Sequence, residues 1–327
     1  MRTIRWGMIG CGEVTEVKSG PGFQRARNAQ LVAVMRRNAD LARDYAQRHG
    51  VPRWYDDAEA LVHDPEVDAV YVATPPSTHK EYTLLSAAAA KPVYVEKPMA
   101  LNAAECEEMI NACRAAGVPL FVAYYRRALE RYRMVKELID NGRIGAIRFA
   151  AITLYRPLLK ATTDDHALPW RVNPEVAGGG LFVDLGSHML DLLDYLLGPI
   201  QAAHGLAGNQ AGQYPAEDIV SATFRFESGV YGMGTWCFSG FERWERTEIV
   251  GSKGKISYAT FHPQPVQLTT ADAYTEFVFD DPPHVQQPLI QMVVDALNGN
   301  GQCPSTGESA ARTSWVIDQL LNDVRNT

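Results

Sequence analysis

The strongest constraint on the fold lies in the order of elements over residues 1–127. Short apolar runs alternate there with amphipathic ones, and the first junction carries Gly10-x-Gly12. "TIRWGMIG" (3–10) reads as a buried strand and "AQLVAVMRR" (29–37) as a second, followed by a helix, "NADLARDYAQRHG", that stops at Gly50. "DAVYVATPP" (68–76) is strand-like, "THKEYTLLSAAAA" helical and "KPVYVEKP" (91–98) strand-like again. Asn102 with Glu105 three residues on has capping-box spacing for the next helix, and "VPLFVAYYRR" closes the series. Such alternation predicts an α/β fold, a doubly wound parallel sheet with helices on both faces. Gly20, Pro21 and Gly22 predict a short or irregular first helix.

A G-x-G after the first strand of a βαβ series is the turn that dinucleotides use. The first glycine makes the tight turn, the second lets backbone approach a pyrophosphate, and the helix start offers N–H groups to the anion. Gly10, Gly12, Glu13 and Val14 are therefore candidate cofactor-binding residues, with Thr15 where a third small residue is usual. The second strand ends in Met35-Arg36-Arg37-Asn38, with no acid before Asp40. An acid there would suit the ribose 2′-hydroxyl of NAD; arginines suit the 2′-phosphate of NADP, so NADP is expected in preference to NAD. Two solvated loop arginines are the alternative.

With 327 residues the chain exceeds what one core usually serves, and we expect 1–123 to be the nucleotide domain and 124–327 a second domain. The net charge of −7 argues against nucleic acid as a partner, and no apolar run reaches the roughly 18 residues of a membrane span. The start reads as a strand rather than a secretion signal, and five cysteines without CxxC spacing fit reduced thiols, so a cytoplasmic location is expected.

Two further places carry chemistry. Lys97 ends a buried strand at the carboxyl edge of the sheet, where ligands bind in such folds, and Glu96 stands beside it. A cation there can stabilise a developing alkoxide; a strand-end lysine facing water is the plainer reading. In "GGGLFVDLGSHMLDLLDYLLG" (178–198), Asp184, His188, Asp191 and Tyr195 fall within about 60° of one another at 100° per residue. A solvated stripe has the same pattern, and the glycines would allow backbone to pass close to a pocket.

Together these pieces, "GMIGCGEVT", "ATPPSTHKEYTLLSAAAAKPVYVEKP", "GGGLFVDLGSHMLD" and "EIVGSKGKI", resemble the Gfo/Idh/MocA oxidoreductases over nearly the whole chain. The resemblance implies an N-terminal Rossmann domain and a C-terminal α+β domain with an open, mostly antiparallel sheet used for dimer contacts. It implies hydride transfer between NAD(P) and a hydroxyl or carbonyl of a sugar, polyol or related small molecule. Lys97 then matches the catalytic lysine of "EKP", and Asp184 and His188 match its "D-x-x-x-H". We assign His188 as acid/base, since imidazole titrates near neutrality. Lys97 becomes the electrostatic partner and Asp184 the substrate anchor. The resemblance also places Thr74, Pro75, Pro76, His79, Glu96 and Lys97 along the cofactor, and a cis bond before Pro98.

Candidate substrate residues are Tyr124 and Arg127 after the sixth strand, Tyr155 with Arg156, and Trp170 with Arg171. A Trp face stacks on a sugar ring; core packing is its alternative. "KATTDDHALPW" reads as a polar covering loop, and its Asp164, Asp165 and His166 are not taken as a metal site. Beyond residue 147 strands alternate with turns, as in "IVSATFRFESGVYGMGTWCF" and the hairpin "TEIVGSKGKISYA". Gly232, Gly234, Tyr231, Trp236 and Phe238 suggest close packing or a sheet–sheet contact, hence a homodimer or homotetramer through this sheet. Two other functions fit a chain of this type, a cofactor-assisted glycosidase and a non-catalytic sugar or cofactor sensor. The retained Lys97, Asp184 and His188 weigh against the sensor.

Overall fold

A computed structural model describes residues 1–159 and 168–325. The chain forms two compact units, Met1–Leu129 with Pro282–Ala311, and Glu130–Asp281 with Arg312–Thr327.

The first unit is built on six parallel strands, β1 (Ile4–Ile9), β2 (Ala29–Met35), β3 (Arg53–Tyr55), β4 (Ala69–Val72), β5 (Val93–Val95) and β6 (Leu120–Val122). Their order is β3-β2-β1-β4-β5-β6, the doubly wound arrangement with its switch point between β1 and β4. Strand alternation sorts the core into two faces. Met8 pairs with Tyr71 and Tyr71 with Tyr94. Trp6, Phe23, Tyr71 and Tyr94 make an aromatic layer with ring centroids 4.9–5.2 Å apart in the contacting pairs. On the other face Ile9, Val70, Val72, Val93 and Val95 join an aliphatic cluster. A parallel sheet buried on both sides needs such runs.

The helices are α1 (Gly20–Arg25), α2 (Ala39–His49), α3 (Ala58–Val62), α4 (His79–Ala88) and α5 (Ala103–Ala115). α1 is as short as its Gly-Pro-Gly predicts and is preceded by a π-turn over Thr15–Ser19. Asn38 and Asn102 cap α2 and α5, and Gly50 ends α2 in the left-handed region. The capping box is shifted: Glu105 accepts from the backbone N–H of Leu101 instead of that of the cap residue. The helix Gln287–Leu297 packs on α1, where a Cβ on Gly22 would come within 2.8 Å of Ile290.

The second unit starts with α6 (Glu130–Asp140) and carries eight strands. These are β7 (Ile147–Tyr155), β8 (Ile200–Gly208), β9 (Ile219–Phe226), β10 (Tyr231–Cys237), β11 (Trp244–Gly251), β12 (Gly254–Tyr258), β13 (Val266–Thr270) and β14 (Tyr274–Phe277). Between β7 and β8 come α7 (Pro174–Ala177) and α8 (Ser187–Leu197). The order is β14-β13-β12-β11-β7-β10-β9-β8, and only β7 with β10 pair in parallel. Alternation again makes two faces. Trp236 packs on Phe182 at 4.9 Å, and Tyr258 on Tyr132 of α6 at 5.6 Å. The opposite face exposes Leu206, Phe149, Tyr231, Met233 and Trp244.

This sorting corrects part of the reading of β10. Trp236 and Phe238 are wholly buried, and the glycines serve that face: a Cβ on Gly232 would strike the Phe224 ring and one on Gly234 the Trp236 ring. Of the aromatics in that stretch, Tyr231 alone stands on the open face. Among the described residues no helix is long and apolar enough to cross a membrane.

Candidate active site

In the first unit the site is set by the turn after β1. Gly10 has φ +93°, and a Cβ there would lie 2.8 Å from the Thr74 backbone nitrogen. No other residue fits a left-handed position pressed against the loop after β4. Gly12 differs, for among the described residues the only atom near a Cβ would be the Gly10 carbonyl oxygen at 4.0 Å. The described residues leave that space open, and open space at the second glycine is what a close-lying pyrophosphate requires. Thr15 solves the missing third glycine by folding its hydroxyl back onto the Gly12 carbonyl at 2.7 Å. Glu13 is exposed and Val14 half-buried on the same turn.

Arg36 and Arg37 are exposed just beyond β2, and Arg36 Nη1 reaches the Cys11 carbonyl at 3.5 Å. Among the described residues neither arginine forms an ion pair, whereas Asp40 is taken by Arg43 at 2.6 Å. Burial pushes the Cys11 thiol up to about 11, so it stays protonated.

His79 was expected along the cofactor. It is fully buried, and its two ring nitrogens face the Thr74 carbonyl at 2.7 Å and the Pro98 carbonyl at 3.0 Å. Burial lowers its pKa, with those carbonyls acting against the shift. Its polar atoms are thus engaged within the chain, tying the loop after β4 to the corner after β5. That corner holds the Lys97-Pro98 bond, which is cis. Glu96 is buried there and accepts from the Tyr71 hydroxyl at 2.6 Å, from Gln286 Nε2 at 2.7 Å and from the backbone N–H of Lys97 at 3.2 Å. Lys97 itself is half-buried. Nothing in the local sequence pairs Gln286 with Glu96, 190 positions apart. Tyr124 and Arg127 are buried, and Arg127 donates to the Pro304 carbonyl at 2.9 Å.

In the second unit Asp184 and His188 lie on a break in helical winding. Phe182–Gly186 is a π-turn and α8 begins only at Ser187, so a uniform 100° step does not describe the stripe. Nor is the stripe solvated: His188 and Asp191 are 5% and 1% exposed, and Asp184 and Tyr195 are half-buried. Asp194 accepts from one edge of the Arg312 guanidinium, Nε at 2.8 Å and Nη2 at 2.7 Å. Arg171 approaches Asp184 at 3.7 Å and covers the Trp170 ring at 4.5 Å. Trp170 is 38% exposed, so it is not core packing.

The three glycines have an unexpected partner. Gly180 donates its N–H to the buried Glu217 carboxylate at 2.8 Å, and a Cβ on Gly179 or Gly180 would collide with Val183, Ala216 or Glu217. Gly179 and Gly180 thus leave room for this carboxylate. Burial pushes the Glu217 carboxyl up to about 7.

Tyr155 stacks on Trp244, while Arg156, one residue on, covers Phe261 at 5.2 Å. Phe261 in turn packs edge-to-face with His188 at 6.0 Å. The pleat therefore brings Arg156, rather than Tyr155, into the His188 neighbourhood. Neither Phe261 nor Glu217 carried any signal in the linear pattern. Asp164, Asp165 and His166 lie outside the described residues; among those described, no cluster of three His, Cys, Asp or Glu side chains is arranged to hold a metal.

Comparison with known proteins fits these features. The oxidoreductase-family model of an NAD-binding Rossmann fold matches residues 4–124, and the Gfo/Idh/MocA C-terminal domain model matches residues 132–257. Oxidoreductase P35 of Formosa agariphila is 37% identical over 96% of this chain and 97% of its own. The 1,5-anhydro-D-fructose reductase of Ensifer adhaerens is 30% identical over 93% and 91%. A structure of levoglucosan dehydrogenase with NADH and levoglucosan superposes with a TM-score of 0.86 at 21% identity, covering 99% and 97%. With a doubly wound nucleotide unit, a mixed-sheet partner unit and relatives along its whole length, this chain belongs to the Gfo/Idh/MocA family of nicotinamide-dependent oxidoreductases.

Proposed function

We propose that the chain is a dehydrogenase or reductase that prefers NADP(H) to NAD(H). Its substrate in this reading is a sugar, polyol or related small molecule, changed at one hydroxyl or carbonyl carbon. The observation that carries the reading is Lys97 on the corner after β5, its backbone gripped by the buried Glu96 and its neighbour Pro98 by His79. A cation whose main chain is fixed from two sides is preorganised to stabilise charge on a substrate oxygen. The names of two relatives, an anhydrofructose reductase and a levoglucosan dehydrogenase, support the substrate class.

Gly10, Gly12, Glu13 and Val14 would hold the pyrophosphate, Arg36 and Arg37 the 2′-phosphate, and Thr74, Pro75, Pro76, Glu96 and Lys97 the nicotinamide side. His79 serves that side through the two carbonyls it ties together. Bound nicotinamide supplies the hydride acceptor or donor. His188 takes the proton of the substrate hydroxyl at a ring nitrogen during oxidation and returns it during reduction. Lys97 Nζ stabilises the oxygen as that proton moves. Asp184 accepts a hydrogen bond from a neighbouring hydroxyl, with Arg171 setting its orientation. Trp170, Tyr124 and Arg127 are further candidates for substrate contact.

The open face of the second unit's sheet supports a homodimer or homotetramer. The catalytic test is a panel of sugars, sugar acids and dicarbonyls with NADP and NAD, read at the nicotinamide absorbance. On the substrate so found, Lys97→Ala and His188→Ala should each lose about a hundredfold or more in turnover while still binding cofactor. Near-normal turnover in both variants would overturn the assignment.

A further inference from the structure

The segment after β12 is fixed to an unusual degree. One carboxylate, that of Glu245 on β11, accepts three successive backbone N–H groups: Thr260 at 3.0 Å, Phe261 at 2.8 Å and His262 at 2.8 Å. It also meets His262 Nδ1 at 2.6 Å. The carboxylate is fully buried. The carbonyls of the same segment are held from the other side. The Tyr132 hydroxyl donates to Ala259 at 3.3 Å and Thr260 at 3.0 Å, and Arg131 Nη1 donates to His262 at 3.4 Å.

Burying a carboxylate is costly unless its lone pairs are used, and here they are used on main-chain amides alone apart from one imidazole. The product of that arrangement is a single placed side chain. Phe261 sits between the guanidinium of Arg156, 5.2 Å from its ring centre, and the imidazole of His188, 6.0 Å away at 73°. The separation and angle are those of a favourable edge-to-face pair.

We propose that Glu245 is a positioning residue that acts through Phe261, and that Phe261 is the apolar wall fixing the ring orientation of His188. This rests on the acid/base reading of His188 only for its catalytic consequence; the positioning itself stands on the geometry. A proton-transferring imidazole must be held within a narrow angular range, and a packed aromatic edge does so without competing for its nitrogens. The backbone clamp supplies the stiffness that a loop side chain otherwise lacks.

The test uses the whole protein with 13C-labelled histidine, the His188 ring resonance being assigned by its loss in His188→Gln. In Phe261→Ala that resonance should lose its ring-current displacement, and Phe261→Tyr should restore it. Glu245→Gln should move it the same way by a smaller amount. Glu245→Gln should add little in the Phe261→Ala background, because both substitutions act on one contact. On an accepted substrate, turnover in Phe261→Ala should fall about tenfold, the scale of one aromatic pair, with NADPH binding measured by fluorescence unchanged. An unchanged His188 resonance in folded Phe261→Ala, or additive effects of the two substitutions, would overturn the proposal. Turnover in His188→Gln separately decides the acid/base role.

Discussion

At the scale of single residues, identity and role parted company in instructive ways. Arg36 and Arg37 are where the pattern put them, exposed past β2 with no carboxylate partner among the described residues. A charge-assisted contact to a phosphate is worth about 1.5–3 kcal/mol, so Arg36→Ala should raise the NADP dissociation constant roughly tenfold to a hundredfold and leave that of NAD nearly unchanged. Isothermal titration with both cofactors measures this, and a strong NAD preference unaffected by the substitution contradicts the assignment. His79 could be singled out in the sequence, but the contacts of its ring could not. Which atoms its ring meets depends on the Pro98 carbonyl, 19 positions away. Glu96 likewise needed Tyr71 and Gln286 to show why its carboxylate can be buried.

At the scale of elements, the Asp184–His188 segment shows the limit of periodicity. An amphipathic count assumes one winding, and the π-turn over Phe182–Gly186 breaks it. Burial then reverses the apparent polarity of the stripe, because His188 and Asp191 face inward. The approach to this turn is held by Glu217, whose folded pKa of about 7 lies above its ordinary value of 4.5. A carboxyl raised on folding binds more protons in the native state than in the unfolded state between those two pH values. Its contribution is therefore full below about pH 4.5 and is lost as pH rises through 7, a loss on the order of 3 kcal/mol. The parent protein's melting temperature should fall between pH 5 and 7.5, and Glu217→Gln should flatten that fall. Parallel slopes by differential scanning calorimetry would show that this carboxyl is not the titrating group.

At the scale of the molecule, the open face of the second unit's sheet concentrates large apolar groups. Phe149 pairs with Tyr231 and Ala151 with Met233 in register, and Tyr155 stacks on Trp244. A contiguous face of this kind is where a second copy would gain most from burial. Light scattering should give a dimeric or larger mass, and Tyr231→Glu with Met233→Glu should lower it to that of one chain while cofactor binding persists. A monomeric parent protein at micromolar concentration would refute the oligomer.

What the linear order settled by itself is the part that rests on local rules. Strand–helix alternation, a G-x-G at the first junction and capped helix starts each depend on neighbours within a few residues, so the parallel sheet and the glycine turn after its first strand could be read directly. Whether a strand residue faces in or out, as with Trp236 and Tyr231, depends on which face of the pleat meets the core. That Gly180 would donate to the carboxylate of Glu217, 37 positions along the chain, could not be read from the triple glycine. Phe261 meets His188 from a loop that Glu245 of β11 and Tyr132 and Arg131 of α6 hold from two separate elements. Contacts of that range are chosen by packing and by the need to satisfy buried charge, and no local pattern encodes them.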